Sequence, residues 1–303
     1  MHILATTLCL LVAGATVTAQ QSGDTKPKPA ANQLVLRIEL TAPGSPVPRV
    51  TDKDAAPALA KVKAWDGRKV SWRLDGTALP NLKAAEAALH RAARDPKNLR
   101  DSQYRPGQRE PVPVRLEPGD GTRWGEVLTA YDMLLSAGFQ DVQLEDVPTP
   151  WFVPRAVMEP ILDDGVLVVP KMVFCEPDDR PEAGRPTFDV HQDGRIVQGD
   201  KVLFTWTPGK ADDLTALREH LLALRKQLVA NGHLQVRAYD GEKRLDMPFL
   251  VRADLWTEWH DVRRLLKLVT LPEIGFWKLH PAVAEMEYEP KLRGGWRVTK
   301  TAK

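Results

Sequence analysis

The chain has 303 residues, with 42 basic against 40 acidic side chains, 43% hydrophobic and 27% charged. That length can bury one large core or two ordinary ones, and the composition is globular rather than collagen-like or broadly disordered. A net charge of +2 gives no field of the kind that drives phosphate-backbone binding, so nucleic acid is excluded as the first expectation for a partner.

From Ile3 to Ala19 the sequence is uncharged and rich in Leu, Ala, Val and Thr, and it closes on Val17-Thr18-Ala19. This pattern predicts a secretory signal peptide over 1–19, cut near Ala19, and hence a periplasmic or secreted product. The rival reading is an uncleaved inner-membrane anchor over 3–19, which as a helix would span roughly 25 Å, the short limit for a ~30 Å hydrocarbon core. Cys9 falls inside this segment, which leaves Cys175 as the mature chain's thiol and no intrachain disulfide. Residues 20–32 read as a flexible leader.

Leu34, Leu36, Ile38 and Leu40 alternate as in a strand, and order is expected to begin there. Pro148, Pro150, Pro154 and Pro160 then cluster near mid-chain, which predicts a Pro-rich linker over 147–165 and invites a test for duplication. Thr122-Arg123-Trp124-Gly125-Glu126-Val127 matches Thr257-Glu258-Trp259-His260-Asp261-Val262: Thr, any residue, Trp, any residue, an acid, Val. Val114-Arg115-Leu116-Glu117 likewise matches Val251-Arg252-Ala253-Asp254, and Gly138-Phe139 matches Gly275-Phe276. Asp66-Gly67-Arg68 and Asp193-Gly194-Arg195 sit where a hairpin turn is expected. The chain therefore reads as two tandem units, 33–146 and 166–284, followed by a basic tail, 285–303.

Within a unit, Trp124, Val127, Leu128, Tyr131, Leu134 and Leu135 mark one face of a helix capped by Thr122; Trp259, Val262, Leu265, Leu266 and Val269 mark its counterpart, capped by Thr257. Earlier helices follow from Leu82, Ala85, Leu89 and Ala92, and from Leu214, Leu217, Leu221, Leu224 and Leu228. Strands are expected at Val112 to Leu116, Val142 to Leu144, Phe188 to Val190, Leu234 to Val236, Phe249 to Val251 and Trp277 to Leu279. The expected fold class is α+β, a two-layer sandwich in two tandem repeats, each with two helices packed on a small mixed sheet.

The stretch from Val112 to Glu145 resembles the C-terminal half of the periplasmic domain of ExbD/TolR biopolymer-transport proteins. The parallel parts are a strand ending near an acid (Val114 to Glu117), a helix begun by an aromatic (Trp124 to Leu135), an Ala137-Gly138-Phe139 turn and a last strand (Val142 to Leu144). Val251 to Asp254, Trp259 to Val269, Ile274-Gly275-Phe276 and Trp277 to Leu279 repeat them. The resemblance covers most of 33–284 and implies a protein-binding scaffold of the cell envelope. Two departures matter. Family members carry an acidic residue in their membrane helix for proton-driven work, whereas 3–19 contains none, and they usually carry one such domain where this chain has two. The resemblance thus implies an exported protein that kept the scaffold and lost the motor, an accessory to energy-coupled transport.

Nine tryptophans are enough for an aromatic glycan platform. Trp124 and Trp259 occupy equivalent apolar helix positions and are expected in the core. Trp256, Trp151 and Trp296 are less constrained and are the candidate surface-binding residues. The carboxylates at Asp163, Asp164, Glu176, Asp178, Asp179, Glu182 and Asp193, with His191, lack ligand spacing, so no metal is expected. No nucleophile elbow, Walker loop or dinucleotide fingerprint occurs, and Cys175 has acidic neighbours that disfavour a thiolate, so neither cofactor nor catalysis is expected. The expectation is a non-catalytic envelope protein that binds a protein partner, through strand addition at a sheet edge, with a homodimer compatible. The alternative is a cell-wall glycan-binding module that takes peptidoglycan, with membrane contact only if residues 3–19 stay in place.

Overall fold

A computed structural model of the chain describes residues 33–43, 68–102, 105–148, 151–157, 161–162, 165–167, 169–178, 183–206, 212–236 and 241–285. The expected signal segment, the leader, the Asp66-Gly67 turn, Asp163 and Asp164, Trp296 and nearly all of the basic tail lie outside the described residues. Among the described residues no helix is long and apolar enough to cross a membrane.

The fold is α+β. Its first half holds β1 (Leu34–Pro43), β2 (Arg68–Leu74), β3 (Thr77–Leu79), α1 (Leu82–Ala92), β4 (Val114–Pro118), α2 (Trp124–Ala137) and β5 (Val142–Leu144). Alternation in β1 sends Leu34, Leu36 and Ile38 to the buried side, and β4, wholly buried, lies parallel beside it with Leu36 opposite Leu116. The sheet order is β3-β2-β1-β4-β5. The β2–β3 hairpin turns at Asp75-Gly76, both with positive φ (49° and 80°), the pair a tight type I′ turn requires.

The second half holds β6 (Thr187–Val190), β7 (Ile196–Gln198), β8 (Lys201–Phe204), α3 (Thr215–Ala230), β9 (Phe249–Ala253), α4 (Trp259–Val269) and β10 (Lys278–Glu285). Its strands run β10-β9-β6-β7-β8, with β6 antiparallel to β7 and parallel to β9. The sense of every pairing corresponds to the first half: an antiparallel hairpin on one side of the leading strand, two parallel crossovers on the other. Each half also inserts a small hairpin between its helices, Leu99–Asp101 with Arg109–Pro111 and Leu234–Val236 with Lys243–Leu245. The expected strand at Leu234 thus forms a side hairpin instead of joining the sheet, which leaves Val236 62% exposed.

Two further expectations are corrected. Thr122 and Thr257 do not cap their helices; the cap positions are Arg123 and Glu258, one residue on, and the Thr257 hydroxyl instead donates to Val190 O at 3.3 Å. The Pro-rich segment also packs rather than merely connecting. Trp151–Phe152 and Arg155–Ala156 pair in parallel with β10, whose outer edge would otherwise be bare.

The halves share one hydrophobic core, to which α1 and α2 contribute Ala85, Leu89, Val127 and Leu134, and α3 and α4 contribute Leu217, Leu221, Val262 and Leu266. They meet where the paired motifs face each other. The Trp124 amide donates to Thr257 O at 2.8 Å and the Trp259 amide donates to Thr122 O at 2.7 Å, so each helix start finds an acceptor in the other half. The two indoles stack between these bonds, with centroids 5.8 Å apart and planes 3° off parallel. Gly125 fits this seam because its backbone runs against Leu255: an added Cβ would lie 3.0 Å from Leu255 O.

Candidate functional site: an open strand edge

The β3 strand is short. Its register covers only Trp72, Arg73 and Leu74 of β2, and Pro80 then ends any continuation of the ladder. Lys69, Val70 and Ser71 pair with β1 on their inner side and face no strand on their outer side among the described residues. A cleft of about 870 Å³ lies along this edge. One wall is β2; the floor is the first turns of α2, with Gly125, Glu126 and Thr129; the far wall is the Val169–Lys171 segment.

Each wall is fixed in place. Arg68 grips Glu126 through two bonds, Nε to Oε1 at 2.7 Å and a terminal nitrogen to Oε2 at 2.8 Å, and also donates to Gly121 O at 2.7 Å. Glu126 Oε2 in turn accepts from the Arg123 amide at 2.7 Å, which ties β2 to the start of α2. The far wall is pinned to β10, since the Ala284 amide donates to Pro170 O at 2.8 Å. The lining is largely apolar, from Val70, Trp72, Leu79, Pro80 and Val169, and Leu82 remains 44% exposed.

The charge in the cleft is not balanced. Arg68 and Glu126 compensate each other, while Lys69 and Lys171, both exposed, have no acidic partner among the described residues. The result is an apolar slot with a basic rim beside a free strand edge, which suits an extended segment that supplies backbone hydrogen bonds, apolar side chains and acidic flanks.

The expected surface tryptophans fare differently. Trp256 is 4% exposed, so its assignment to a surface platform is corrected. It lies in the loop before α4, where its amide donates to Asp254 Oδ1 at 2.9 Å and its carbonyl accepts from Arg123 at 2.6 Å, which draws the ring inward at the seam. Trp151 is 48% exposed and packs edge-on to Trp277 at 6.1 Å. No ring contact joins Trp151 to Trp256 among the described residues, and Trp296 lies outside them. Trp124 and Trp259 are buried, at 0% and 2% exposure. No group of His, Cys, Asp and Glu able to hold a metal occurs among the described residues.

Arg68, Gly125 and Glu126 of the cleft belong to the repeated sequence patterns, but those patterns mark a turn and a helix start and do not point to a cleft. The one available signal is Pro80, placed so soon after the Asp75-Gly76 turn that the returning strand must be short. The comparisons with known proteins add no relative: the chain matches no family model, no curated protein and no solved structure.

Proposed function

We propose that the chain is a non-catalytic binding protein of the cell envelope, built from two ExbD/TolR-like units, that captures an extended segment of a protein partner by strand addition to β2. The observation that carries this reading is the outer edge at Lys69–Ser71, which no strand among the described residues covers, beside an apolar cleft with two lysines that have no acidic partner among those residues. Four residues of added strand would run ~13 Å along this edge at about 3.3 Å per residue. The common strand order of the halves and the reciprocal bonds of the Thr-Xaa-Trp motifs support descent of both units from one scaffold. In this reading the receptive edge is the first unit's, where β2 borders the cleft, rather than β8, the outer strand of the second sheet. The acceptor segment belongs to an envelope partner, which makes the protein an accessory to energy-coupled transport.

The test is in-cell crosslinking with a photoreactive residue at Ser71, and at Val202 on the second sheet's edge as control. The reading expects a discrete envelope-protein adduct from Ser71 alone, reduced at least ~10-fold by the K69E/K171E double substitution. Equal adducts from both positions, or none from Ser71, would refute it. The same variant should keep its stability to within about 0.5 kcal/mol, because both side chains are exposed.

A second reading, glycan binding, rests on the exposed face of Trp151 against Trp277. It predicts sedimentation with purified peptidoglycan that is lost in Trp151→Ala and unaffected by K69E/K171E.

A further inference from the structure

The last strand of the second sheet ends beside the cleft. β10 closes on Ala284 and Glu285, which pair in parallel with Lys171 and Met172, and Lys171 belongs to the cleft's far wall. Paired strands lie about 4.8 Å apart, so the chain leaves β10 one strand spacing from that wall. Residues 286–303 lie outside the described residues, and their sequence opens with Met286-Glu287-Tyr288-Glu289-Pro290. Apolar and acidic side chains alternate there with period two until proline ends the pattern. Beyond Pro290 every charged side chain is basic, so both acids of this segment fall together at its start.

The cleft offers the complementary pattern. Val70 and Trp72 lie opposite Leu40 and Ile38 on the core side of β2, so period two puts Lys69 and Ser71 on its other side. A chain laid along this edge sets alternate side chains on the same two sides, one series over the apolar slot and the other beside Lys69. Lys69 and Lys171 are exposed and have no acidic partner among the described residues, which sets two positive charges against two carboxylates. The reach is sufficient. From Glu285 to Tyr288 is three residues, about 10 Å when extended and twice the spacing between β10 and the wall.

We propose that the cleft has an internal occupant, the chain's own Met286–Glu289 segment, which competes with the partner for the β2 edge. Tyr288 enters the apolar slot beside Val70 and Val169, and Glu287 and Glu289 meet Lys69 and Lys171. The inference rests on the strand-addition reading for the chemistry of the cleft, not for the existence of a partner. A tethered occupant acts at an effective concentration on the order of 1 mM. It therefore guards the edge against weak or chance strand pairing and yields to a partner segment that binds more tightly.

The experiment places the photoreactive residue at Ser71 of the purified, dilute full chain and maps the linked peptides. An intrachain link to 286–290 at monomer mass is expected. The E287K/E289K pair should reduce its yield at least ~10-fold, and combining that pair with K69E/K171E should restore it, since the charges are then exchanged. No link to 286–290, a product joining two chains, or a yield indifferent to charge reversal would each overturn the occupant. In cells E287K/E289K should raise the envelope-protein adduct from Ser71 at least ~3-fold, and an unchanged adduct would refute the competition. The two readings fail separately. An intrachain link with no envelope adduct from either chain supports the internal occupant and refutes capture of a partner; an envelope adduct with no intrachain link does the reverse.

Discussion

The two sheets share a strand order and differ in what they do with the surfaces it leaves over. On the first sheet the back face is ionic and partly solvated: Arg37 and Arg115 both reach Glu117, at 2.6 and 3.1 Å, and Arg73 faces Glu39. On the second the equivalent face is roofed by the connecting segment, with Leu167 and Val169 laid over Leu250 and Ala282. The edges are reversed in character as well. In the second half β8 pairs with β7 along its whole length, from Ile196 opposite Phe204 to Gln198 opposite Lys201, whereas β3 leaves half of β2 uncovered. One strand order therefore accompanies the shared core and the seam while edges and back faces differ, and the proposed binding cleft lies on one of those differing surfaces.

The seam is the feature both halves depend on, so breaking it should have the largest effect. Trp259→Ala removes a 2%-exposed indole stacked on Trp124 and should destabilise the protein by about 3–5 kcal/mol, measured by urea unfolding. Trp124→Ala should match it. The double variant should lose less than the sum by about 1 kcal/mol, the coupling of an aromatic pair. Additive losses would mean that the halves do not lean on each other at this point.

The next comparison sets one arginine against its counterpart. Arg68 is 5% exposed and bidentate to Glu126, itself 9% exposed, so Arg68→Ala strands a buried carboxylate and should cost about 3 kcal/mol. In the second half Arg195 pairs with the 41%-exposed Asp193 at 2.8 Å, and Arg195→Ala should cost under about 1 kcal/mol. Chemical denaturation of the two variants side by side reads the ratio, and equal costs would remove the argument that only the first half is braced around its cleft.

How much of this was legible in the sequence depends on the range of the interaction. The helix faces were readable because their period is local: Leu217, Leu221 and Leu228 are buried on α3 as their spacing predicts. The core position of Trp124 and Trp259 was readable for the same reason, but their stacking on each other was not, since no local rule pairs residues so far apart in sequence. Trp256 was misplaced because a loop has no periodicity to read, and its burial comes from Arg123 in the other half. The edge at Lys69 was invisible as a motif: among the described residues it is marked only by where β3 stops. The packing of Trp151–Phe152 and Arg155–Ala156 against β10 was hidden by proline, which rules out regular helix more firmly than it rules out a parallel edge strand.

Two histidines of the second half are shifted in opposite directions by their surroundings. His280 is held neutral in the folded state, down to about 4 by burial and then by Arg155 and Arg185. The unfolded chain takes up the proton first, so stability contributed by the neutral ring is present above about pH 6.5 and is lost as pH falls toward 4. The loss should be on the order of 2–3 kcal/mol. It is read as the difference in urea midpoint between pH 6.5 and 4.5 in chloride buffer, and His280→Gln should flatten it. Asp178, lowered chiefly by its bond to Arg185, loses its contribution only below its usual range near pH 4, so the two windows separate.

The smallest effect has the opposite sign and sits at the seam. His260 occupies the position that Gly125 holds in the first half, where no side chain fits. It is raised to about 9 by its hydrogen bonds to Asp261 and then Glu258, with Nε2 3.1 Å from Asp261 Oδ1 and Nδ1 3.1 Å from Glu258 Oε2. A raised folded value means that the charged ring's contribution is complete below pH 6.5 and disappears as pH rises through 9. With the side chain 36% exposed, solvent screening limits the amplitude to under about 1 kcal/mol. Unfolding midpoints at pH 7 and pH 9.5 should therefore differ slightly in the native protein and coincide in His260→Gln. Because Glu258 also faces Arg123 of the other half, at 3.8 Å, a seam that loosens at high pH should loosen on that side, seen as faster amide exchange at Trp124. Exchange that quickens at Trp124 equally in His260→Gln would assign the alkaline change to another group and leave the seam without a titrating element.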